Sequence, residues 1–534
     1  MFKNKYLKNN NPFAARRNFL LAACGLALTS GVPHLLAQPR FHNNPFTLGV
    51  ASGYPQADGI VLWTRLAPDA LNGGGMPDAA VDVSWEIADS DSFRNVLRKG
   101  VERATPELAH SVHAEISGLQ PARVYWYRFH AGGATSAVGR FRTAPAANAA
   151  HDKLRFALAS CQQYEQGYFS AYRHMAREAL DLVIHVGDYI YEASLGSNRV
   201  RSHGVGEPMN LSEYRNRYAL YKSDVDLQAA HAACAWMVTW DDHEVDNDYA
   251  NDRSQDLDPP EAFLQRRAAA YQAYYEHMPL PAWARPRGAD ARIYTQAGYG
   301  QLARVFVLDD RQYRSHQVCP RPGRGGSTVV KDADCPERRS PDLTLLGVEQ
   351  ERWLHEALDK STARWNIIAQ QTLMAKQTRI TGGEQGYWTD GWDGYPKARE
   401  RLLGHIAARK ISNPIVLGGD LHNAIVADLK VDFDDAKSPV IATEFVGTSI
   451  TSQGPGPKIT DTALRNNPHL KFSDGTQRGY TTFDVTSARF DVRLRVVSRV
   501  TDPQATISDL ASFVVENGKA GAQRDKSSSR PPSD

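Results

Sequence analysis

Five short apolar runs in this chain each stop at residues that do chemistry, and no other feature constrains the fold as much. They are LRFALASC (154–161), LVIHVGD (182–188), WMVTWDDH (236–243), VFVLDDR (305–311) and PIVLGGDLH (414–422). A sixth, WNIIA (365–369), runs into Gln370 and Gln371. Helical patterns separate them at 169–179, 260–277 and 347–360. A strand covered on both faces reads as an unbroken apolar run. Such strands alternating with helices predict an α/β layered core. Ligands of sheets like this collect beyond the carboxyl ends of the strands, where this chain repeatedly puts Cys, Asp and His.

The flanking segments have other textures. From 42 to 145 short alternating strands are broken by turns such as Asn72-Gly73-Gly74-Gly75, the pattern of an immunoglobulin- or fibronectin-like β-sandwich. No titratable cluster lies in it, so a packing or spacer role is expected. An Ala/Asn/Pro stretch at 144–152 marks a linker, and the core is expected over 152–521. Segment 472–500 alternates again and predicts edge or second-sheet strands. The Lys/Ser/Pro-rich tail, 522–534, reads as disordered.

Charge and targeting narrow the class. With 62 Lys+Arg against 60 Asp+Glu, net +2, the chain lacks the basic excess of a nucleic-acid scaffold. No apolar run of about 20 residues follows the N-terminal segment, so a stable membrane span is not expected. Residues 1–37 resemble a twin-arginine signal peptide, with Arg16-Arg17-Asn18-Phe19-Leu20 before a modest apolar stretch and cleavage near Ala37. Export by the twin-arginine translocation machinery to the periplasm or medium is the expectation, and proteins on that route often carry a cofactor. Leu21-Ala22-Ala23-Cys24 resembles a lipoprotein box, but the short apolar run before it argues against a lipid anchor at Cys24. Among the five cysteines, Cys319 and Cys335 flank a Gly/Arg/Pro-rich loop and could pair in an oxidising compartment. Cys234 reads as a small buried apolar residue.

Three clusters carry candidate chemistry. Asp188 leaves its strand through Gly187, and Tyr191 three residues on can return to the same place. A carboxylate can bridge two cations. A phenolate suits a strongly acidic cation, ferric iron above all, and the Cys161 thiolate would reinforce that choice. Alone, Tyr191 would read as an ordinary strand-flanking aromatic. Asp242 suits a hard, oxygen-loving cation. His243 suits a phosphate contact or a proton donor to the leaving group. Asp420 and His422, two apart on an extended segment, share a side, and both are candidate ligands. Segment 387–395, rich in Tyr, Trp and Gly, reads equally as a site mouth or as a packed loop.

These clusters resemble the motifs of calcineurin-like metallophosphoesterases, the superfamily of the purple acid phosphatases. The closer resemblance is to PhoD-type alkaline phosphatases and phosphodiesterases, from about Pro45 to Gly521. It rests on Gly49-Val50-Ala51-Ser52-Gly53, Leu62-Trp63-Thr64-Arg65-Leu66, Ser160-Cys161-Gln162, the stretch from His185 to Glu192, Tyr214-Arg215, the stretch from Trp240 to Glu244, Gln312-Tyr313-Arg314 and Glu444-Phe445-Val446-Gly447-Thr448. The resemblance implies an immunoglobulin-like N-terminal domain, a four-layer αββα phosphoesterase core, and Fe3+ with Ca2+. It implies Cys161, Asp188 and Tyr191 as iron ligands, with Asp188 bridging to calcium. Asp242, Asp420 and His422 complete the set, their division between the ions left open. His243 matches the histidine of an Asn-His-Glu motif in which Asp242 replaces the usual asparagine. Asp420 replaces the first histidine of a Gly-His-x-His motif. Gln370-Gln371 stand where many relatives have a strand-end histidine, so the second metal would be held mainly by oxygen.

The implied reaction is hydrolysis of phosphate monoesters or diesters, with a metal-activated oxygen attacking phosphorus in line with the leaving alcohol. Arg311 or Arg314 would steady the equatorial charge and His243 would assist departure. Two other readings stand beside it: phospholipase D-like cleavage of phospholipid head groups, with an apolar rim around the site, and a non-enzymatic envelope binding protein.

Overall fold

The computed structural model describes residues 41–381 and 383–525, a mixed α/β fold. The expected signal peptide with Cys24, and the tail beyond Asp525, lie outside the described residues. Each apolar run forms a strand. Leu154–Ala159, Leu182–Val186 and Ala235–Thr239 lie parallel and adjacent. Ala303–Val307, Trp365–Ala369, Pro414–Gly418 and Val440–Val446 form a second parallel set.

The unbroken hydrophobicity has a simple cause. All of Leu182–Val186 is buried. In the second set, Val305, Val307, Ile367 and Ile415 join an apolar cluster that also holds Phe156 and Leu158 of the first set. Their neighbours Phe306, Ile368 and Val416 join another cluster with Leu354, Leu402 and Ile406 of the helices Gly347–Asp359 and Pro396–Arg409. Both faces are covered, and polar side chains within these strands such as His185 and Asn366 are buried too. Full burial of a residue such as Ile367 is worth about 1.5–3 kcal/mol.

The helices follow their sequence signals closely. Pro260–His277 starts with Pro at its first turn, where the missing N–H costs nothing. The expected helix at 169–179 is shorter, Ser170–Met175. Among the described residues, no helix is long and apolar enough to cross a membrane.

The strands of segment 42–145 divide between two sheets. Its strands Val81–Ala88, Val96–Ala104, Val124–Ala131, Ala134–Thr135 and Gly139–Arg142 form a separate five-stranded sheet. Its strands Val50–Gly53, Ile60–Arg65 and Ser111–Ile116 instead extend the first parallel set. Val50–Gly53 pairs in parallel with Ala235–Thr239, with Ser52 opposite Ala235. The Trp63 indole donates to the carbonyl of Glu276, across what the sequence suggested was a linker. The same ten-stranded sheet continues on its other side through Gly479–Val485, Arg489–Val497 and Ile507–Glu516; the alternation at 472–500 marks the first two as strands, but they lie inside this sheet rather than at an edge or in the second. Order persists past Ala522: Gln523–Arg524 adds an edge strand against Ile507–Glu516, because backbone pairing needs no apolar side chains.

Candidate metal centre

The chain turns sharply where these strands end. Cys161 (φ 57°), Asp188 (φ 57°), Asp420 (φ 61°) and His422 (φ 54°) all adopt the left-handed backbone that L residues avoid. Such conformations cost on the order of 1–3 kcal/mol each and persist only where the surroundings dictate them. Gly187, at φ 105°, admits no other residue, since a Cβ there would lie 2.4 Å from that of Asp241. The turns are tied together. Cys161 N–H donates to Gly187 O at 3.1 Å and Gln162 N–H to Asp188 O at 3.0 Å. The buried Glu244 carboxylate accepts from the backbone N–H groups of Asp188 (3.1 Å), Tyr189 (2.6 Å) and Asp241 (2.8 Å).

The result is a compact donor set. The Tyr191 hydroxyl donates to Asp188 Oδ2 at 2.8 Å and lies 3.0 Å from His422 Nε2. His422 Nε2 is 3.7 Å from Asp188 Oδ2. His422 Nδ1 lies 2.8 Å from the carbonyl of Gln453, an acceptor that fixes the proton on Nδ1 and frees Nε2 to ligate. Donor atoms of Cys161, Asp188 and His422 fall within 4.8 Å of one another. Two more such groups adjoin: Asp188 with Asp242 and His243, and Asp242 with Asp248 and Asp390. Asp188 and Asp242 each belong to two groups.

The donor set fits a polyvalent cation. Asp188 Oδ1 is buried without a hydrogen-bond partner. Burial pushes the Cys161 thiol well above its ordinary value, and the nearby Asp188 charge adds to this. Burial, Asp188 and Cys161 do the same to the Tyr191 phenol. Without a cation both groups stay protonated; a bound metal ion supplies the field that removes the protons.

Other expected residues sit around this core. His243 Nδ1 lies 2.7 Å from Glu192 Oε2. Burial alone would lower the imidazole's proton affinity, but Glu192, Asp242 and Asp188 outweigh it and push its pKa well up. Asp242 accepts from the N–H groups of His243 (3.0 Å) and Asp248 (2.7 Å). Burial opposes its ionisation, while Arg311 and His243 drive its pKa far below the usual carboxylate range. The Asp420 carboxylate accepts from the Thr372 hydroxyl at 2.8 Å. Burial raises its pKa; Asp242, Asp390 and Asp188 add to this and Arg311 opposes it.

The two arginines are placed differently from a solvent-facing phosphate clamp. Arg311 is fully buried among carboxylates, its Nε on Asp241, Nη1 2.8 Å from Asp390 and Nη2 3.7 Å from Asp242. Arg314 spends its fork on the side chain and carbonyl of Asp390, beside the Tyr395 ring.

Sequence reasoning passed over Asp241, Asp248 and Asp390, and left Glu192 and Glu244 without roles. Asp390 arrives on the aromatic segment, which is a packed loop: Trp392 donates to Gln370 and the Tyr395 hydroxyl to Ser315 O. Asp248 is held by the N–H of Ser327 at 2.8 Å, from the loop closed by a Cys319–Cys335 disulfide. Gln371 donates to Thr239, Trp240 and Leu308, tying strand ends together. Cys234 is buried, its thiol pushed up to about 12 by burial.

Comparison with known proteins agrees on one family. The model of the PhoD-like phosphatases matches residues 156–494, and that of their N-terminal domain matches residues 32–145. The chain is 48% identical over 532 residues to alkaline phosphatase D of Bacillus subtilis strain 168, covering 96% of this chain and 90% of that protein. A solved structure of PhoD superposes with a TM-score of 0.86 at 49% identity, covering 91% of this chain and 93% of the other.

Proposed function

The chain belongs to the PhoD-like phosphatase family and hydrolyses phosphoric esters, and on that premise we propose that it does so at an iron–calcium centre. One observation carries this reading: Tyr191 Oη, Asp188 Oδ2 and His422 Nε2 stand 2.8–3.7 Å apart, with Cys161 in the same group. Thiolate, phenolate and imidazole suit Fe3+. The carboxylates of Asp242, Asp420, Asp248 and Asp390 would suit Ca2+, and Asp188, which belongs to two of the donor groups, would serve both ions.

When bound, the ions supply Lewis acidity toward the phosphoryl oxygens and an activated oxygen nucleophile. The chain's own residues do the rest. Glu192 holds the His243 ring by Nδ1, so that the protonated Nε2 can give its proton to the departing alcohol. Arg311 fixes Asp241, Asp242 and Asp390 in place. In this reading its role is to hold carboxylates, with Arg314 steadying Asp390 behind it.

We further read residues 42–145 as an immunoglobulin-like sandwich, 152–521 as a four-layer αββα core, and the chain as exported by the twin-arginine route to the periplasm or medium. The five-stranded sheet, whose Val81 and Tyr127 share an apolar cluster with Ile60 and Leu62 of the neighbouring strands, supports the sandwich, and the paired Cys319–Cys335 supports export. Family membership sets aside a non-enzymatic envelope role. A phospholipase D-like preference has one observation in its favour. A cavity of about 520 Å³ beside Leu421 and Asn423 is rimmed by the exposed Ile380 and Ile459. Turnover of phosphatidylcholine vesicles, set against soluble monoesters and diesters, tests it.

Metal analysis and turnover test the centre. Purified protein is expected to contain iron and show a visible ligand-to-metal band. Cys161→Ser is expected to lose iron and about tenfold or more of its rate. Unchanged iron content and rate would exclude Cys161 as a ligand. EGTA is expected to abolish turnover and added Ca2+ to restore it; full activity in calcium-free enzyme would remove calcium from the reading.

A further inference from the structure

The stretch that follows the strand Val440–Val446 crosses from the second sheet to the first and contacts the backbone of Cys161, the Tyr191 phenol and the His422 ring. Ile450 N–H donates to Ser160 O at 3.0 Å, and Ser452 N–H to Cys161 O at 3.2 Å. The carbonyl of Gln453 receives His422 Nδ1 at 2.8 Å. The Ser452 hydroxyl, buried at 1% exposure, lies 2.7 Å from the Tyr191 oxygen and 2.8 Å from Cys161 O. It also accepts from Gln163 N–H at 3.2 Å. Four residues of chain, 450–453, thus brace the turn that carries Cys161 together with the phenol and the imidazole.

The Ser452 hydroxyl has one proton and two acceptors. While Tyr191 keeps its own proton, that proton is directed at Asp188 Oδ2, and the phenol oxygen is a weak, neutral acceptor competing with the Cys161 carbonyl. Once Tyr191 ligates as a phenolate, its oxygen carries charge, and a hydrogen bond to an ionised acceptor is roughly twice as strong as a neutral one. The serine proton then has a clear preference. No backbone rearrangement is needed, because a rotation about the Cβ–Oγ bond suffices.

We propose that Ser452 is a positioning residue of the centre, donating its hydroxyl proton to the Tyr191 phenolate and thereby stabilising the metal-bound form of that ligand. The inference rests on the reading of Cys161 and Tyr191 as iron ligands. Withdrawing density from the phenolate lowers its donor orbital and raises the energy of the phenolate-to-iron transition. Ser452→Ala is therefore expected to move the visible band to longer wavelength and to lose iron to a ferric chelator about tenfold faster. Ser452→Thr keeps the hydroxyl and is expected to behave as wild type in both respects.

The spectra and chelator kinetics of the three full-length proteins, each checked for folding by circular dichroism, decide the matter. A folded Ser452→Ala protein with the wild-type band and iron retention overturns the proposal. So does a Ser452→Thr protein that fails as badly as the alanine variant, since the hydroxyl would then not be the operative group. A wild-type protein that takes up iron without any band overturns the ligand assignment and this inference with it; an intact wild-type band with an unshifted alanine variant overturns only this inference.

Discussion

Asp188→Asn is expected to cut turnover by at least about a hundred- to a thousandfold and to lower iron and calcium content together. Asp188 is the carboxylate shared by the group with Cys161 and His422 and the group with Asp242 and His243. Its Oδ2 faces Tyr191 and His422, while its Oδ1 is buried without a partner. Asparagine matches the shape and can fill the left-handed turn, a conformation it tolerates better than most residues. It brings no negative charge, so it cannot bridge two cations. The measurement is metal content beside kcat for a phosphomonoester and a phosphodiester. Loss of one metal with the other retained would show that Asp188 does not bridge.

Arg311→Met is expected to destabilise the protein by about 3–5 kcal/mol, the usual cost of removing one partner from a buried ion pair. Here the guanidinium answers to Asp241, Asp390 and Asp242 at once. Methionine fills much of the volume, so the loss is electrostatic rather than a cavity. Denaturant titration or calorimetry of the purified variant gives the number. A variant within about 1 kcal/mol of wild type would show that the carboxylates are neutralised by other means. Arg311→Lys keeps the charge but not the planar fork and is expected to fall between the two.

Much of this centre was legible because it is built where strands stop. Leu154–Ala159, Leu182–Val186, Ala235–Thr239 and Pro414–Gly418 are apolar apart from Arg155, His185 and Thr239, so the residues after them stand out. What depends on distant contacts was not legible. Asp248 and Asp390 sit in irregular loops, and it takes distant partners, Ser327 and Gln255 for one and Arg311, Arg314 and Gln317 for the other, to show why they point inward. Its place at a strand end marked Arg311 as a candidate but did not say which carboxylates would claim it. Ser452 lies in a polar run that reads like any loop. The boundary near residue 145 looked clean because pairing between Ser52 and Ala235 leaves no local trace.

That pairing also sets a timetable. The partner of Ser52 is made 183 residues later (235 − 52), which at about 5–20 residues per second means a delay of roughly ten to forty seconds on the ribosome. Until then Val50–Gly53 has its antiparallel neighbour Ile60–Arg65 on one edge only, and its other edge is open to any passing strand. The N-terminal strands of this enzyme thus wait for a neighbour made midway along the chain, and a chaperone that shields that edge during synthesis is expected to raise its yield.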